Sequence, residues 1–561
     1  MTIAKERYTA WLNAPQLTEE ERAALRAMPE GEMAECFGST LAFGTGGLRG
    51  KLGLGTARMN RLCVAQATQG LADFMNANGR IPRVAIAHDS RHYSRAFAET
   101  AASVLAANGI TALLYPRLQP TPALSFAVRD QGCGAGICIT ASHNPAVYNG
   151  YKVYGSDGCQ ITLEDAETIQ QAITQVDPIS GVKLIPYAEG LADGRIRLLG
   201  EEVINRFLDA VLACGLRKNQ TGALRVVYTP LNGAGRECVT RMMDAIGLTD
   251  VHVVAEQANP DGAFPTCPYP NPEIREALAL GLRDADTLQA DLLLATDPDC
   301  DRVGIAVRGE NGMTLMSGNE VGVLLMDYIA ATRKELGLCP DRPVMVTTIV
   351  STAMADAVAA YHGVELRRVL TGFKFIGETI AKLEAAGEKE RFLLGFEESY
   401  GYLTGTHARD KDAVNASLLI LEMARYYKAQ GLTLLDAYRR LEERFGCYAG
   451  DLSSYTFEGN AGMVTMAAIM KRLREQPVAL PGFDVLSVTD YLSPDTGLPA
   501  ANVLRFDLAG DARLMVRPSG TEPKLKAYFF AREADREAAR NTIDRLKTAA
   551  DRLIAGEAAD V

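Results

Sequence analysis

The chain has 561 residues, 47% of them hydrophobic, with 51 glycines and a formal net charge of −11. This length exceeds a single hydrophobic core and predicts about four domains; the composition is that of an α/β enzyme and excludes a fibrous or disordered chain. The acidic balance excludes nucleic acid as the main partner, because phosphate backbones need a clustered basic surface, whereas a local basic pocket for a small anion stays open.

Eleven cysteines stand singly between Cys36 and Cys447, with no CxxC pair and no metal-finger spacing. No window approaches the length of a membrane span, and the polar start Met1-Thr2-Ile3-Ala4-Lys5 lacks a signal-peptide core. Reduced thiols, a cytoplasmic setting and no membrane contact are therefore expected.

In chain order, residues 1–40 read as a helical N-terminal extension. From residue 83 short apolar runs alternate with helical stretches: Val84–Ala87, a helix through Phe97 to Asn108, Leu113–Tyr115, then Ile137–Ile139. This alternation predicts βαβ units. It restarts at Leu224–Tyr228, Val251–Val254 and Asp291–Ala295, and again from Val344–Val346 to Phe392–Leu394. The three blocks carry no clear residue-level repeat. After Cys447 come short strands (Ser453–Phe457, Val503–Phe506, Leu514–Val516, Ala527–Phe530), a helix near 463–474 and a closing charged helix from about Asp535. The expected division is 41–205, 206–316 and 317–446 as α/β domains, and 447–561 as an α+β domain.

Four loops carry candidate chemistry. Thr140-Ala141-Ser142-His143-Asn144-Pro145 follows the apolar run Gly136–Ile139 and places a hydroxyl just past a strand, where ligands of open α/β sheets bind. Thr140 and Asn144 stand where a hydrolase nucleophile elbow needs glycines, so Ser142 reads as a nucleophile or phosphate carrier outside that class. Asp297-Pro298-Asp299-Cys300-Asp301-Arg302 sets three carboxylates at alternate positions after a strand, an oxygen-rich donor set for a hard divalent cation. An EF-hand is excluded, because Arg302 and Arg308 occupy its glycine and glutamate positions.

Gly395-Phe396-Glu397-Glu398-Ser399-Tyr400-Gly401 packs acceptors and donors suited to a hydroxyl-rich ligand, and Lys411 follows closely. Arg517-Pro518-Ser519-Gly520-Thr521-Glu522-Pro523-Lys524 combines a guanidinium, hydroxyls, a glycine and a lysine in one turn, a phosphate cradle. Two near misses fall away. Gly372 and Gly377 have P-loop spacing, but Glu378 replaces the lysine; His88 and His92 lie four apart without the zincin glutamate.

With these loops in this order, and with Phe43–Gly50 as an N-terminal signature, the chain resembles the α-D-phosphohexomutase family, in particular its longer phosphoglucomutase-type members. The resemblance covers most of residues 40–530. It implies three mixed α/β sheet domains plus a C-terminal α+β domain around one central cleft. It also implies Mg²⁺ held by Asp297, Asp299 and Asp301 with an oxygen on Ser142, and Ser142 as the phosphoryl carrier. Arg49, His143, Lys152 and Lys411 would serve proton transfer or charge stabilisation. Arg302 would face the transferring phosphate, Glu397 and Ser399 would read sugar hydroxyls, and Thr371, Gly372 and Lys374 would form a specificity segment. Arg517, Ser519, Gly520 and Thr521 would grip the other phosphate.

The implied activity is interconversion of glucose 1-phosphate and glucose 6-phosphate, with hexose 1,6-bisphosphate as intermediate and activator. Pentose phosphates, mannose phosphates and sugar-bisphosphate synthesis are the alternatives within the family. A Mg²⁺-dependent sugar phosphatase and a non-catalytic sugar-phosphate sensor are the alternatives outside it.

Overall fold

The computed structural model describes residues 3–555 except 45, 219–221, 458, 477 and 520–523. Three helices, Ile3–Leu12, Glu19–Ala27 and Glu30–Phe37, open the chain. Trp11, Leu25 and Phe37 are buried together against Leu62 and Cys63 of the helix Arg61–Ala77, so the extension is packed onto the next unit through its own small apolar cluster.

The first sheet contains β1 (Gly47–Lys51), β2 (Arg83–His88), β3 (Thr111–Leu114), β4 (Ala135–Ile139), β5 (Tyr148–Gly155) and β6 (Ile196–Leu198), in the order β1-β5-β4-β2-β3-β6. The second contains β7 (Val226–Thr229), β8 (Val251–Val253), β9 (Leu292–Thr296), β10 (Val303–Gly309) and β11 (Gly312–Met316), in the order β11-β10-β9-β7-β8. The third contains β12 (Val344–Thr348), β13 (Glu365–Val369), β14 (Phe392–Glu397) and β15 (Gly401–Leu403), in the order β13-β12-β14-β15. The central strands β2, β4, β7, β9, β12 and β14 are apolar runs buried almost throughout, because helices cover both faces.

The repeat that the residues hide is plain in the topology. In each sheet one strand is parallel to its inner neighbour (β4 to β2, β9 to β7, β14 to β12) and antiparallel to the strand that follows it in the chain (β5, β10, β15). Each such strand therefore ends at a topological switch, the place where open α/β sheets bind ligands. The connections β4–β5, β9–β10 and β14–β15 each hold one non-glycine residue at positive φ: Ser142 (52°), Cys300 (52°) and Tyr400 (64°). Backbone of that kind is costly for a residue with a Cβ and persists where surroundings over-determine it.

The last sheet, all antiparallel, is β16 (Cys447–Thr456), β17 (Val485–Asp490), β18 (Leu504–Leu508), β19 (Ala512–Pro518) and β20 (Lys524–Glu533), in the order β16-β20-β19-β18-β17. The helices Gly459–Glu475 and Arg536–Ala555 bury one face of it. On the other face Met515, Tyr528 and Phe530 meet Ile349, Val350 and Leu370 of the third unit. Among the described residues no helix is long and apolar enough to cross a membrane.

Candidate active site

Ser142 is 4% exposed at the end of β4. Its amide donates to Thr140 Oγ1 (2.8 Å), and its hydroxyl donates to Asp297 Oδ2 (2.8 Å) with His143 Nδ1 at 3.2 Å. Asp297 Oδ1 accepts the backbone amides of Asp301 and Arg302, both at 3.0 Å, which folds the acidic loop back onto its first carboxylate. Asp297, Asp299 and Asp301 are buried, and each can offer a carboxylate oxygen within 4.8 Å of the others. Among the described residues this is the only such group of three.

The residues present fit a hard divalent cation. Asp299 Oδ1 and Asp301 Oδ1 are buried oxygens with no hydrogen-bond partner, a costly condition unless something positive meets them. An all-carboxylate set beside a hydroxyl matches the oxygen preference of Mg²⁺ over softer metals.

Two buried lysines neutralise the other side of the triad. Lys152 Nζ, on β5, lies 2.8 Å from Asp299 Oδ2 and 3.5 Å from Asp301 Oδ2. Lys411 Nζ lies 3.1 Å from Asp301 Oδ2 and 3.1 Å from Asp410 Oδ1. A Cβ at Gly401 would run into the Lys411 side chain, so glycine there leaves the lysine its channel. Asp410 is held in turn by Tyr154 Oη (2.8 Å) and Gln160 Nε2 (3.0 Å).

The charges set each other. Burial opposes the charge on Lys152 and Lys411, but the facing carboxylates outweigh it and both stay cationic. Burial likewise opposes the Asp299 carboxylate, and the Lys152 ammonium overrides it, holding Asp299 well below the usual range. Asp297, with Asp299 and Asp301 as its nearest charges, is pushed up by burial and by both of them. Burial, then Arg302 and Arg49, lowers His143 and keeps its imidazole neutral.

These groups adjoin a central cleft of about 640 Å³. Arg49 and His143 reach it from the first unit, Arg302 from the second, Glu397, Ser399 and Lys411 from the third, and Arg517 from the fourth. Arg49 sits on β1 opposite Gly150 of β5. Arg302 Nη1 donates to Glu273 Oε1 (2.9 Å) and to the Ser399 carbonyl (3.1 Å), tying the acidic loop to the Glu397 loop. Thr371, Gly372 and Lys374 line the same cleft at the start of the helix Phe373–Ala385. The Gly372 amide donates to Glu397 Oε1 (2.9 Å), and the Thr371 hydroxyl is buried without a hydrogen bond. Ser519 donates its amide to the Lys524 carbonyl (2.7 Å) across the base of its loop; Gly520 and Thr521 lie outside the described residues.

Ser519 is not among the residues that line the cleft, and the other predicted site residues within the described part of the chain converge on the triad or the cleft. Several functional neighbours escape the sequence reading. Thr121 Oγ1 donates to Asp299 Oδ2 (3.0 Å), and Arg91 holds the Ser142 loop. Lys526 and Glu398 both line the cleft; burial, then the neighbouring Glu397, raises Glu398 to about 7. Only Arg91 left a readable signal, in Asp89-Ser90-Arg91 directly after the apolar strand β2.

Models of the phosphoglucomutase/phosphomannomutase family match this chain in order: alpha/beta/alpha domains I, II and III at residues 40–179, 205–311 and 317–445, and the C-terminal domain at 490–546. A phosphoglucomutase of Staphylococcus aureus is 36% identical over 516 residues, covering 89% of this chain and 90% of its own. The chain belongs to the phosphoglucomutase/phosphomannomutase family. It is an isomerase of the phosphohexomutase class with the family's four-domain fold. Solved structures agree on that fold. A family protein from Burkholderia thailandensis superposes with a TM-score of 0.68 at 18% identity, covering 92% of this chain and 97% of its own. The N-acetylphosphoglucosamine mutase of Aspergillus fumigatus, solved with GlcNAc-6P and magnesium, gives 0.52 at 13% identity, covering 92% and 96%.

Proposed function

We propose that this phosphohexomutase interconverts glucose 1-phosphate and glucose 6-phosphate by way of a phosphoserine at Ser142 and a bisphosphate intermediate. One observation carries the reading: the Ser142 hydroxyl is hydrogen-bonded into the Asp297 triad beside a cleft lined from all four units. A serine poised against a cation site and next to a basic, hydroxyl-reading cavity suits reversible phosphoryl storage. The four units are proposed to divide near residues 40, 205, 316 and 446, so that each contributes one loop. Eleven unpaired cysteines support a cytoplasmic setting.

Asp297, Asp299 and Asp301, with an oxygen on Ser142, would hold Mg²⁺, which supplies charge neutralisation for phosphoryl oxygens. In the first half-reaction a free hydroxyl of the sugar monophosphate attacks the phosphoserine in line. The new O–P bond forms as the Oγ–P bond breaks, Ser142 gains a proton and the sugar hydroxyl loses one. The transition state is loose, so positioning and cationic side chains carry most of the catalysis. Lys152 and Lys411 stay charged throughout and stabilise developing oxygen charge. His143, neutral at pH 7, keeps a ring nitrogen at 3.2 Å from Ser142 Oγ, in reach of the proton that Ser142 gains or loses.

Glu397 and Ser399 orient the ring by its hydroxyls, while Arg517, Ser519, Gly520 and Thr521 hold the phosphate that is not reacting. The bisphosphate then turns end for end and returns its other phosphate to Ser142. A hexose 1,6-bisphosphate thereby primes the enzyme. Coupled assays with Mg²⁺ and bisphosphate, run in parallel on glucose, mannose and pentose 1-phosphates, test this reading. Fastest turnover of glucose 1-phosphate is expected. Faster turnover of another sugar reassigns the substrate, and release of inorganic phosphate without isomer replaces the mutase by a phosphatase.

A further inference from the structure

Ser142 occupies left-handed backbone at φ 52°, which a residue with a Cβ adopts only at a cost. On its amide side the restraint is the bond to Thr140 Oγ1. On its carbonyl side it is a single guanidinium. Arg91 Nη2 donates to the carbonyls of Ser142 (2.5 Å) and Asn144, and Nη1 donates to those of Pro145 (2.9 Å) and Tyr148 (3.0 Å). Three carbonyls of the loop and that of Tyr148 at the start of β5 converge on one side chain. The Pro145 carbonyl also accepts the Tyr148 amide (3.0 Å), which closes the loop behind the guanidinium.

Arg91 is itself fixed on every side. It is 3% exposed, and its Nε lies 3.2 Å from Asp89 Oδ2. Asp89 Oδ1 accepts the Arg91 amide (2.9 Å) and the Ser94 hydroxyl (2.7 Å). The Phe264 ring of the second unit lies under the guanidinium, 5.0 Å from its carbon, and Gly262 packs so closely on the backbone of Ser90–His92 that a Cβ there would collide. The guanidinium's hydrogen bonds go to the loop carbonyls and to that of Tyr148, Asp89 pairs with it by charge alone, and Arg91 is not among the residues lining the cleft.

We propose that Arg91 is the positioning residue of the nucleophile loop, fixing Ser142 in the conformation from which it exchanges the phosphoryl group. The proposal rests on the phosphoserine reading above. Arg91 acts through the backbone of Ser142 and never meets the sugar. Its planar fork is essential, because a lysine ammonium, a compact point charge, cannot satisfy four carbonyls arrayed around a plane. An in-line transfer that depends on placement loses about 100-fold in rate for a displacement of about 1 Å.

The test compares wild type with Arg91→Lys and Ser142→Ala, each first checked for folding by circular dichroism. For Arg91→Lys the expected result is a kcat lower by about 100-fold, an unchanged KM for the sugar phosphate, and a shifted or broadened ³¹P resonance of the phosphorylated enzyme. A structural role alone would lower the active fraction and leave both the resonance and the folded enzyme's kcat intact. Wild-type kcat in folded Arg91→Lys, or an unmoved ³¹P resonance, overturns the proposal. If Arg91→Lys does not fold, Phe264→Leu removes only the ring beneath the guanidinium; it must lower kcat at constant KM, and an unchanged kcat overturns the proposal. Mutase activity in Ser142→Ala instead overturns the phosphoserine reading. An inactive Ser142→Ala beside a fully active Arg91→Lys overturns Arg91's role alone.

Discussion

Ser142 Oγ and Asp297 Oδ2 are 2.8 Å apart although 155 positions separate them in the chain. Each stands just beyond the carboxyl end of a strand, β4 and β9, that is parallel to one neighbour and antiparallel to the next. Two copies of the same sheet design therefore point their switch points at each other, and the third, ending at Glu397, joins them through Arg302 and Ser399. The site is a product of that arrangement: three short connections meet at its centre, and Lys152 of β5, Lys411 and Arg517 join them from outside those connections.

Asp299→Asn is expected to raise the Mg²⁺ concentration needed for half-maximal activity by about tenfold or more and to lower the maximal rate. Asp299 Oδ1 is one of the two triad oxygens without a hydrogen bond, and Oδ2 already serves Lys152 and Thr121. A metal titration of chelator-treated enzyme reads the effect. A midpoint equal to wild type would remove the triad from metal binding.

Arg517→Met is expected to raise KM for the sugar phosphate by about 10- to 100-fold, the equivalent of one charge-assisted hydrogen bond. In the proposed function this arginine holds the phosphate that is not reacting, so the loss should fall mainly on binding. Initial-rate measurements separate KM from kcat, and a wild-type KM would exclude Arg517 from the grip.

His407 predicts a pH dependence of stability distinct from that of the active site. Burial opposes its charge, but hydrogen bonds to Asp412 Oδ2 (2.8 Å) and Cys214 raise it from 6.5 to about 9. A folded-state pKa above the unfolded one gives stability that is complete below pH 6.5 and lost as pH rises through 9, at most about 3 kcal/mol. Thermal melts across this window should fall in wild type and fall less in His407→Gln. Equal slopes would exclude the pair as their source.

The four loops were legible because each concentrates its chemistry in a few consecutive residues after an apolar strand. The three α/β blocks were legible from their alternation, with strand and helix ends displaced by only a few residues, as in Ser94–Ala107 where Phe97 to Asn108 was expected. Strand β5, which carries Lys152, was not anticipated. Its Tyr148-Asn149-Gly150-Tyr151 start has no alternation, and Asn149 is buried because its side chain bonds Ser94 and the backbone. Thr121 reaches Asp299, and Tyr154 reaches Asp410, across more than a hundred residues of chain, which no local pattern encodes. The likeness among the three sheets resides in strand order, so residue comparison alone could not reveal it.

The central claim, that Ser142 carries the phosphoryl group, is tested most directly by the mass of the Ser142 peptide. The enzyme is incubated with Mg²⁺ and glucose 1,6-bisphosphate and then chased with glucose 6-phosphate. The account predicts one added phosphoryl group on Ser142 that disappears in the chase. An enzyme that turns over while Ser142 stays unmodified, or a phosphate on Ser142 that survives the chase, would contradict it.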